Sequence, residues 1–117
     1  MDDPVEETIK TYDSIADEFR NRYQKYGDQN TMKPLLDSFI ESLTVKNPDV
    51  LDVGTGAGFD AKYLSEHGCN VTGIDLSEGL MKVAKEIAPK VNLIKVDMRN
   101  LPFSDNQFDG IWSASSI

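Results

Sequence analysis

Residues 50–60 read Val50-Leu51-Asp52-Val53-Gly54-Thr55-Gly56-Ala57-Gly58-Phe59-Asp60. The apolar start predicts a buried strand, and the glycines at alternate positions predict a tight turn into a helix. Because glycine has no Cβ, a ligand can lie against the backbone of such a turn. The helix that follows offers N–H groups that have no partner within the helix. This stretch therefore predicts a nucleotide-cofactor pocket at the carboxyl end of a parallel strand.

Strands and helices alternate from residue 48 onward. After the strand at 50–53, we expect a helix over 60–67, a strand at 71–74, a helix that Ser77 caps, and strands at 93–96 and 108–113. This order predicts an α/β fold with a doubly wound parallel sheet and right-handed crossovers. The fourth strand has the apolar character of an interior strand, so we expect a domain truncated after it. Its open edge would then favour self-association.

Residues 1–47 are predicted to form an N-terminal helical cap, and residues 48–117 the cofactor-binding half of a single incomplete domain. One amphipathic helix is expected over 3–26. A second is expected to be capped by Thr31, with Pro34 in its first turn. The apolar side chains of this second helix are Leu35, Leu36, Phe39, Ile40 and Leu43.

The composition narrows the classes of partner. The formal net charge is −8, from 20 acidic and 12 basic residues, which is a poor match for nucleic acid or anionic lipid. Cys69 is the only cysteine, which excludes an internal disulfide and fits a reducing compartment. No leader pattern and no apolar run of about 20 residues is present. The expectation is a cytoplasmic protein without a membrane partner.

The glycine pattern disfavours a dinucleotide. A dinucleotide fingerprint would place its third glycine at position 59, where this chain has Phe59. Asp52 would add negative charge beside a pyrophosphate, whereas it suits a ligand that carries a cation. A glycine turn that binds no ligand is the alternative.

Aspartates also follow the next two strands. Asp75 has the position of an acid that accepts hydrogen bonds from ribose hydroxyls, or it assists the cap of the next helix. Asp97 can accept from an adenine amino group while Met98 packs against the ring, or it is a solvated loop residue. Because the carboxyl ends of parallel strands meet at one edge of a sheet, the three aspartates are predicted to share one crevice.

With these residues in place, the chain resembles the N-terminal half of a class I S-adenosylmethionine-dependent methyltransferase with a Rossmann-like fold, in its small-molecule branch. The resemblance covers nearly the whole chain. The segments that carry it are 50–58, 71–77, 96–103, 108–112 and, less specifically, 12–19.

The resemblance implies a role for each matching residue. Asp52 would help to receive the ammonium of the cofactor, Asp75 would bind the ribose and Ser113 would border the sulfonium. Tyr12 would close over the cofactor, or it is one more residue of an apolar stripe. The cofactor-binding residues implied in this way are Asp52, Gly54, Thr55, Gly56, Gly58, Asp75, Leu76, Asp97, Met98, Ser113 and Tyr12.

The implied reaction is direct displacement of a methyl group from the sulfonium by an acceptor, expected to be a small molecule. No residue stands out as a general base, and neither His67 nor Cys69 has neighbours at metal-ligand spacing, so no metal is predicted. This fragment alone is expected to be inactive. A non-catalytic cofactor-binding module and an NAD-dependent oxidoreductase are the alternatives, and a transfer-RNA acceptor stays open.

Overall fold

The structure is a computed structural model that describes residues 32–97 and 99–113. The helix expected over 3–26 lies outside these residues, and so do Tyr12, Thr31 and Met98. The helices and strands, in chain order, are α1 (Lys33–Ser42), β1 (Asp49–Val53), α2 (Phe59–Glu66), β2 (Asn70–Asp75), α3 (Glu78–Ile87), β3 (Asn92–Lys95) and β4 (Gly110–Trp112).

The strands form one sheet in the order β3-β2-β1-β4, and every neighbouring pair is parallel. Parallel neighbours need a crossover, and α2 and α3 supply the crossovers from β1 to β2 and from β2 to β3. The reversal of strand order between β1 and β4 is the topological switch of a doubly wound sheet. The prediction of a Rossmann-like α/β fold is confirmed.

Two clusters of buried apolar side chains hold the helices. The larger cluster joins α1 and α2 to the sheet through Leu36, Val50 and Leu64, each 0% exposed. The smaller cluster includes Val83 and Ile87 of α3. Val50 and Leu51 are both buried, as expected for a strand with apolar neighbours on both faces.

Two details of the predicted elements were wrong, the N-cap of α1 and the length of β4. The residue at the N-cap of α1 is Met32, not Thr31, and its side chain makes no capping hydrogen bond. Within α1, Leu36 is buried in the apolar cluster against the sheet, whereas Leu35 is 58% exposed. β4 covers only Gly110–Trp112, since Asp109 meets Asp49 partly through its side chain: the Asp49 amide donates to Asp109 Oδ2 at 2.8 Å.

The other predicted bounds of β1, α2, β2 and β3 differ by one residue, except that the end of β1 at Val53 agrees. Pro34 lies in the first turn of α1 as predicted. Ser77 is confirmed as the N-cap of α3, where its side chain accepts from the Leu80 amide at 3.1 Å. Within the described ranges, no helix has the length and apolar character needed to cross a membrane.

Candidate cofactor site

The loop after β1 folds back over the end of β2. The amides of Gly54 and Thr55 both donate to the carbonyl oxygen of Ile74, each at 2.9 Å. Gly54, Gly56 and Gly58 have φ of 71°, 56° and 88°, the left-handed region that favours glycine. These angles produce the tight turn that the sequence predicts.

Gly56 and Gly58 have different surroundings within this turn. Within the described part of the chain, a Cβ added at Gly56 would meet only the Gly54 carbonyl oxygen, 4.0 Å away, so this side of the backbone leaves room for a ligand. A Cβ at Gly58 would lie 3.0 Å from the Cβ of Ala84. Gly58 therefore lets the start of α2 approach α3 closely. Its predicted contact with a cofactor stays a prediction.

Asp52 is a buried carboxylate with little hydrogen bonding. It is 3% exposed, and Thr55 Oγ1 donates to its Oδ2 at 2.8 Å. Among the described residues, Thr55 is its only hydrogen-bond partner. Burial raises the pKa of Asp52 from 3.8 to about 7, against the opposing effect of the Thr55 hydrogen bond. Asp60 and Asp75, which carry the same charge, raise this pKa further.

A glycine of β2 makes room for the Thr55 hydroxyl. A Cβ at Gly73 would lie 2.8 Å from Thr55 Oγ1 and 3.0 Å from Thr55 Cβ. Gly73 therefore permits the hydrogen bond between Thr55 and Asp52. Sequence reasoning missed this contribution, although a glycine inside a strand pattern often marks a close approach.

Asp75 connects the glycine turn to α3. Its Oδ2 accepts from the Gly56 amide at 2.9 Å, and its Oδ1 accepts from the Ser77 amide at 3.0 Å. Asp75 is 8% exposed. An ionised carboxylate has about four lone-pair positions, so these two bonds leave capacity for ligand hydroxyls. Asp75 thus assists the start of α3, and its predicted contact with a ribose stays open beside that role.

Asp97 is held by a neighbour in sequence. Its two oxygens accept from the amide, Nε and Nη2 of Arg99 at 2.7–3.1 Å. Hydrogen bonding by the Arg99 side chain lowers the pKa of Asp97 from 3.8 to about 2. An adenine amino group would therefore have to share or replace one of these donors. The sequence did not reveal this pairing, although Arg99 lies only two positions away.

The structure joins part of the predicted set by direct contact. Thr55 contacts Asp52, and Gly56 contacts Asp75. Leu76 is half-buried beside Asp75, and Ser113 is exposed directly after β4. Asp97 follows the same edge of the sheet, where the Val96 amide donates to the Asp75 carbonyl oxygen at 3.1 Å.

His67 and Cys69 lie at the opposite ends of the strands. The His67 ring stacks on Tyr63, 4.0 Å between centroids, and its Nδ1 contacts the Tyr63 carbonyl oxygen. Cys69 is buried just before β2. Over residues 32–97 and 99–113, no three His, Cys, Asp or Glu side chains form a group that could hold a metal ion. The absence of a metal stays a prediction.

The comparison with known proteins identifies the family. A family profile described as a methyltransferase domain matches residues 50–117. The ubiquinone biosynthesis O-methyltransferase of Coxiella burnetii is 35% identical over 88 residues, which are 74% of this chain and 38% of that protein. The demethylmenaquinone methyltransferase of Renibacterium salmoninarum is 28% identical over 95% of this chain and 47% of its own length.

A solved structure agrees with these relatives. The TehB-like SAM-dependent methyltransferase of Corynebacterium glutamicum superposes with a TM-score of 0.67 at 28% identity, over 90% of this chain and 55% of that one. The chain belongs to the methyltransferase domain family, of the class I type that uses S-adenosylmethionine. It spans less than half the length of the two named quinone methyltransferases that it matches.

Proposed function

We propose that this chain binds S-adenosylmethionine where β1, β2 and β3 end, and that the intact protein transfers its methyl group to a small-molecule acceptor. The buried, sparsely hydrogen-bonded carboxylate of Asp52 carries the proposal. A buried charge is unfavourable unless it is paired, and no described cation pairs with Asp52. A ligand ammonium at this position would supply the missing partner.

The charge of the site agrees with a cationic ligand. Asp60 and Asp75 each interact electrostatically with Asp52. A pyrophosphate placed among three carboxylates would meet repulsion, whereas a ligand with an ammonium and a sulfonium would meet attraction. This argument supports S-adenosylmethionine over a nicotinamide dinucleotide.

The remaining roles are proposals for named residues. Gly54, Thr55, Gly56 and Gly58 lie against the amino-acid part of the cofactor, where the open side of Gly56 leaves room. Asp75 accepts from the ribose hydroxyls with the lone pairs that its backbone bonds leave free. The adenine side is formed by Leu76, Asp97 and Met98, while Ser113 borders the methyl group and Tyr12 covers the site.

Catalysis in this proposal depends on position and charge. The bound sulfonium makes the methyl group a good electrophile, and the protein aligns it with the acceptor. Carboxylates around the ammonium and the ribose hold the cofactor in that orientation. An acceptor in quinone biosynthesis is the first class to test, because two relatives are named for ubiquinone and demethylmenaquinone chemistry.

The test is calorimetric titration of this chain with S-adenosylhomocysteine, with a nicotinamide dinucleotide as the second ligand. We expect micromolar binding of the first ligand only. Asp75→Ala should weaken it by about 100-fold or more, because the ribose and the Gly56 amide both lose their acceptor. Asp105→Ala, the same change at an exposed aspartate between β3 and β4, serves as the matched control.

Binding that is equal in Asp75→Ala and Asp105→Ala would contradict the site. Circular dichroism of both variants separates loss of the pocket from loss of the fold. Methyl transfer to hydroxylated aromatic acceptors by the intact protein then tests the activity. Cofactor binding without transfer to any acceptor would favour a non-catalytic module instead.

A further inference from the structure

Trp112 and Asp60 form a contact that the roles above leave unused. The indole Nε1–H of Trp112 donates to Asp60 Oδ2 at 3.0 Å, in a partly buried position. Trp112 is the last residue of β4, and it lies opposite Asp52 in the register of β1 and β4. Asp60 lies in the first turn of α2, two residues after Gly58. The contact therefore joins the end of β4 to the end of the glycine turn.

β4 depends on such a contact for its position. The strand has three residues and pairs only with β1 among the described strands. The Trp112 ring also packs edge-on against Phe39 of α1, 5.3 Å between centroids. Packing alone leaves the ring free to slide, whereas a hydrogen bond to a carboxylate sets both distance and direction. Ser113 is the next residue in the chain, so its position depends on the position of Trp112.

A carboxylate at position 60 has an electrostatic cost. Asp60 lies close enough to Asp52 to disfavour ionisation of that carboxyl group, and Asp75 acts in the same direction. The start of α2 offsets part of this cost, because the positive end of the helix dipole favours an acid in the first turn. An apolar residue at position 60 would avoid the repulsion but would leave the Trp112 N–H without this acceptor. The hydrogen bond from Trp112 is the favourable contact that the geometry shows for a carboxylate at position 60.

We propose that Asp60 and Trp112 are a positioning pair, which holds Ser113 at a set distance from the cofactor loop. The inference rests on the proposed function, since Ser113 matters only where a cofactor occupies that loop. The pair acts through the backbone of β4. Without the bond, the end of β4 moves relative to the Gly54–Gly58 turn, and the site loses its preorganisation.

The test uses calorimetry with S-adenosylhomocysteine on this chain and five variants. Trp112→Phe keeps an aromatic ring beside Phe39 but removes the donor, and Asp60→Leu removes the acceptor. We expect each to weaken binding by about tenfold, and the double variant to be no weaker than either single one. Asp60→Asn keeps an acceptor oxygen and should stay within about threefold of the unchanged chain. Ile111→Leu, on the same strand but 63% exposed, is the control.

A spectroscopic measurement supports the binding data. Trp112 is the only tryptophan of the chain, so the tryptophan emission reports on the surroundings of this one side chain. We expect S-adenosylhomocysteine to shift the emission in the unchanged chain and in Asp60→Asn, and to leave it unchanged in Asp60→Leu. A purely structural role would change the unfolding midpoint without this difference in ligand response.

The outcomes separate this pair from the proposed function. If the unchanged chain binds, two results would overturn the pair and leave the cofactor site intact. One is that the losses of the two single variants add up in the double variant. The other is that Asp60→Asn loses as much affinity as Asp60→Leu. Failure of the unchanged chain to bind would overturn the proposed function and the role of the pair together. Asp60→Leu and Asp60→Asn keep the inference testable if Trp112→Phe does not fold, since both retain the aromatic packing.

Discussion

Asp52 and Asp97 both lie near the carboxyl end of a parallel strand, but their environments in the structure are opposite. Asp52 is the second-to-last residue of β1, and Asp97 lies two residues after the end of β3. Asp52 is buried, Thr55 is its one hydrogen-bond donor among the described residues, and its pKa is raised to about 7. Asp97 is solvated, with Arg99 bound to both oxygens, and its pKa is lowered to about 2.

The difference teaches that the end of a strand does not by itself define the chemistry of an acid. β1 lies between β2 and β4, so its end is covered by the glycine turn and by two neighbouring strands. β3 is an outer strand among the four described ones, and Arg99 binds the carboxylate of Asp97 beyond its end. A raised pKa at a concave site is typical of functional residues, while a solvated ion pair more often only orders a loop.

Among the replacements that test this comparison, the one at Asp52 is expected to change the free energy of unfolding most. In the folded protein, Asp52 stays protonated up to about pH 7, whereas its ordinary pKa is 3.8. Between these values the folded state binds more protons, so the free energy of unfolding falls as the pH rises. Asp52→Asn cannot ionise, so its stability relative to the unchanged chain should rise by roughly 3 kcal/mol between pH 4.5 and pH 8.

Urea unfolding at both pH values measures this difference. Asp105→Asn, the same change at an exposed position, is the matched control. The same Asp52→Asn variant should lose S-adenosylhomocysteine binding if the carboxylate receives the ammonium. A constant stability difference from pH 4.5 to pH 8 would show that Asp52 is ionised throughout and that burial does not control it.

Replacement of Thr55 gives a smaller effect on the same side of the comparison. Thr55→Val keeps the shape but removes the only described donor to Asp52. We expect the free energy of unfolding to decrease by about 1–3 kcal/mol at pH 8, where Asp52 is ionised, and by less at pH 5. Thr72→Val on β2 is the matched control. When Thr55→Val is combined with Asp52→Asn, most of the pH dependence of the Thr55→Val effect should disappear. If the changes in unfolding free energy of the two single variants simply add in the double variant, Thr55 and Asp52 do not interact directly.

Replacement of Arg99 gives the smallest effect on stability. Arg99→Ala removes the side-chain donors that hold the pKa of Asp97 near 2, so this pKa should rise toward 3.8. The thermal unfolding midpoint at pH 7 should hardly change, because both groups are solvated. Carbon-13 NMR titration of the aspartate carboxyl groups measures the shift. A pKa that stays near 2 in the variant would assign it to the backbone of the loop and not to Arg99.

Features that depend on residues close together in the sequence were predicted, and contacts between distant segments were not. Regular patterns of apolar residues predicted the strands β1 to β4 and the helices between them, with errors of one or two residues at the ends. Ser77 was predicted correctly as a cap because capping is local. The packing of Gly58 on Ala84 and of Gly73 on Thr55 was missed, since both contacts join segments that are distant in the sequence.

The candidate site shows the same division. Residues 50–58 and Asp75 were recognised from motif and spacing, and the structure brings Thr55, Gly56, Asp52 and Asp75 into contact. The hydrogen bond between Trp112 and Asp60 crosses 52 positions, and no local pattern indicates it. From the sequence alone, an indole in an apolar strand gives no sign of where its N–H points.

The sequence by itself determined the class of fold and the family, and it predicted the edge of the sheet at which a cofactor would bind. These depend on hydrophobic periodicity, on glycine and on acids at strand ends, all of which are local properties of the chain. Only the tertiary structure decided how the aspartates differ. The pKa of a carboxylate depends on burial and on charges brought near it by folding, and among the four described strands β1 is central while β3 is outermost.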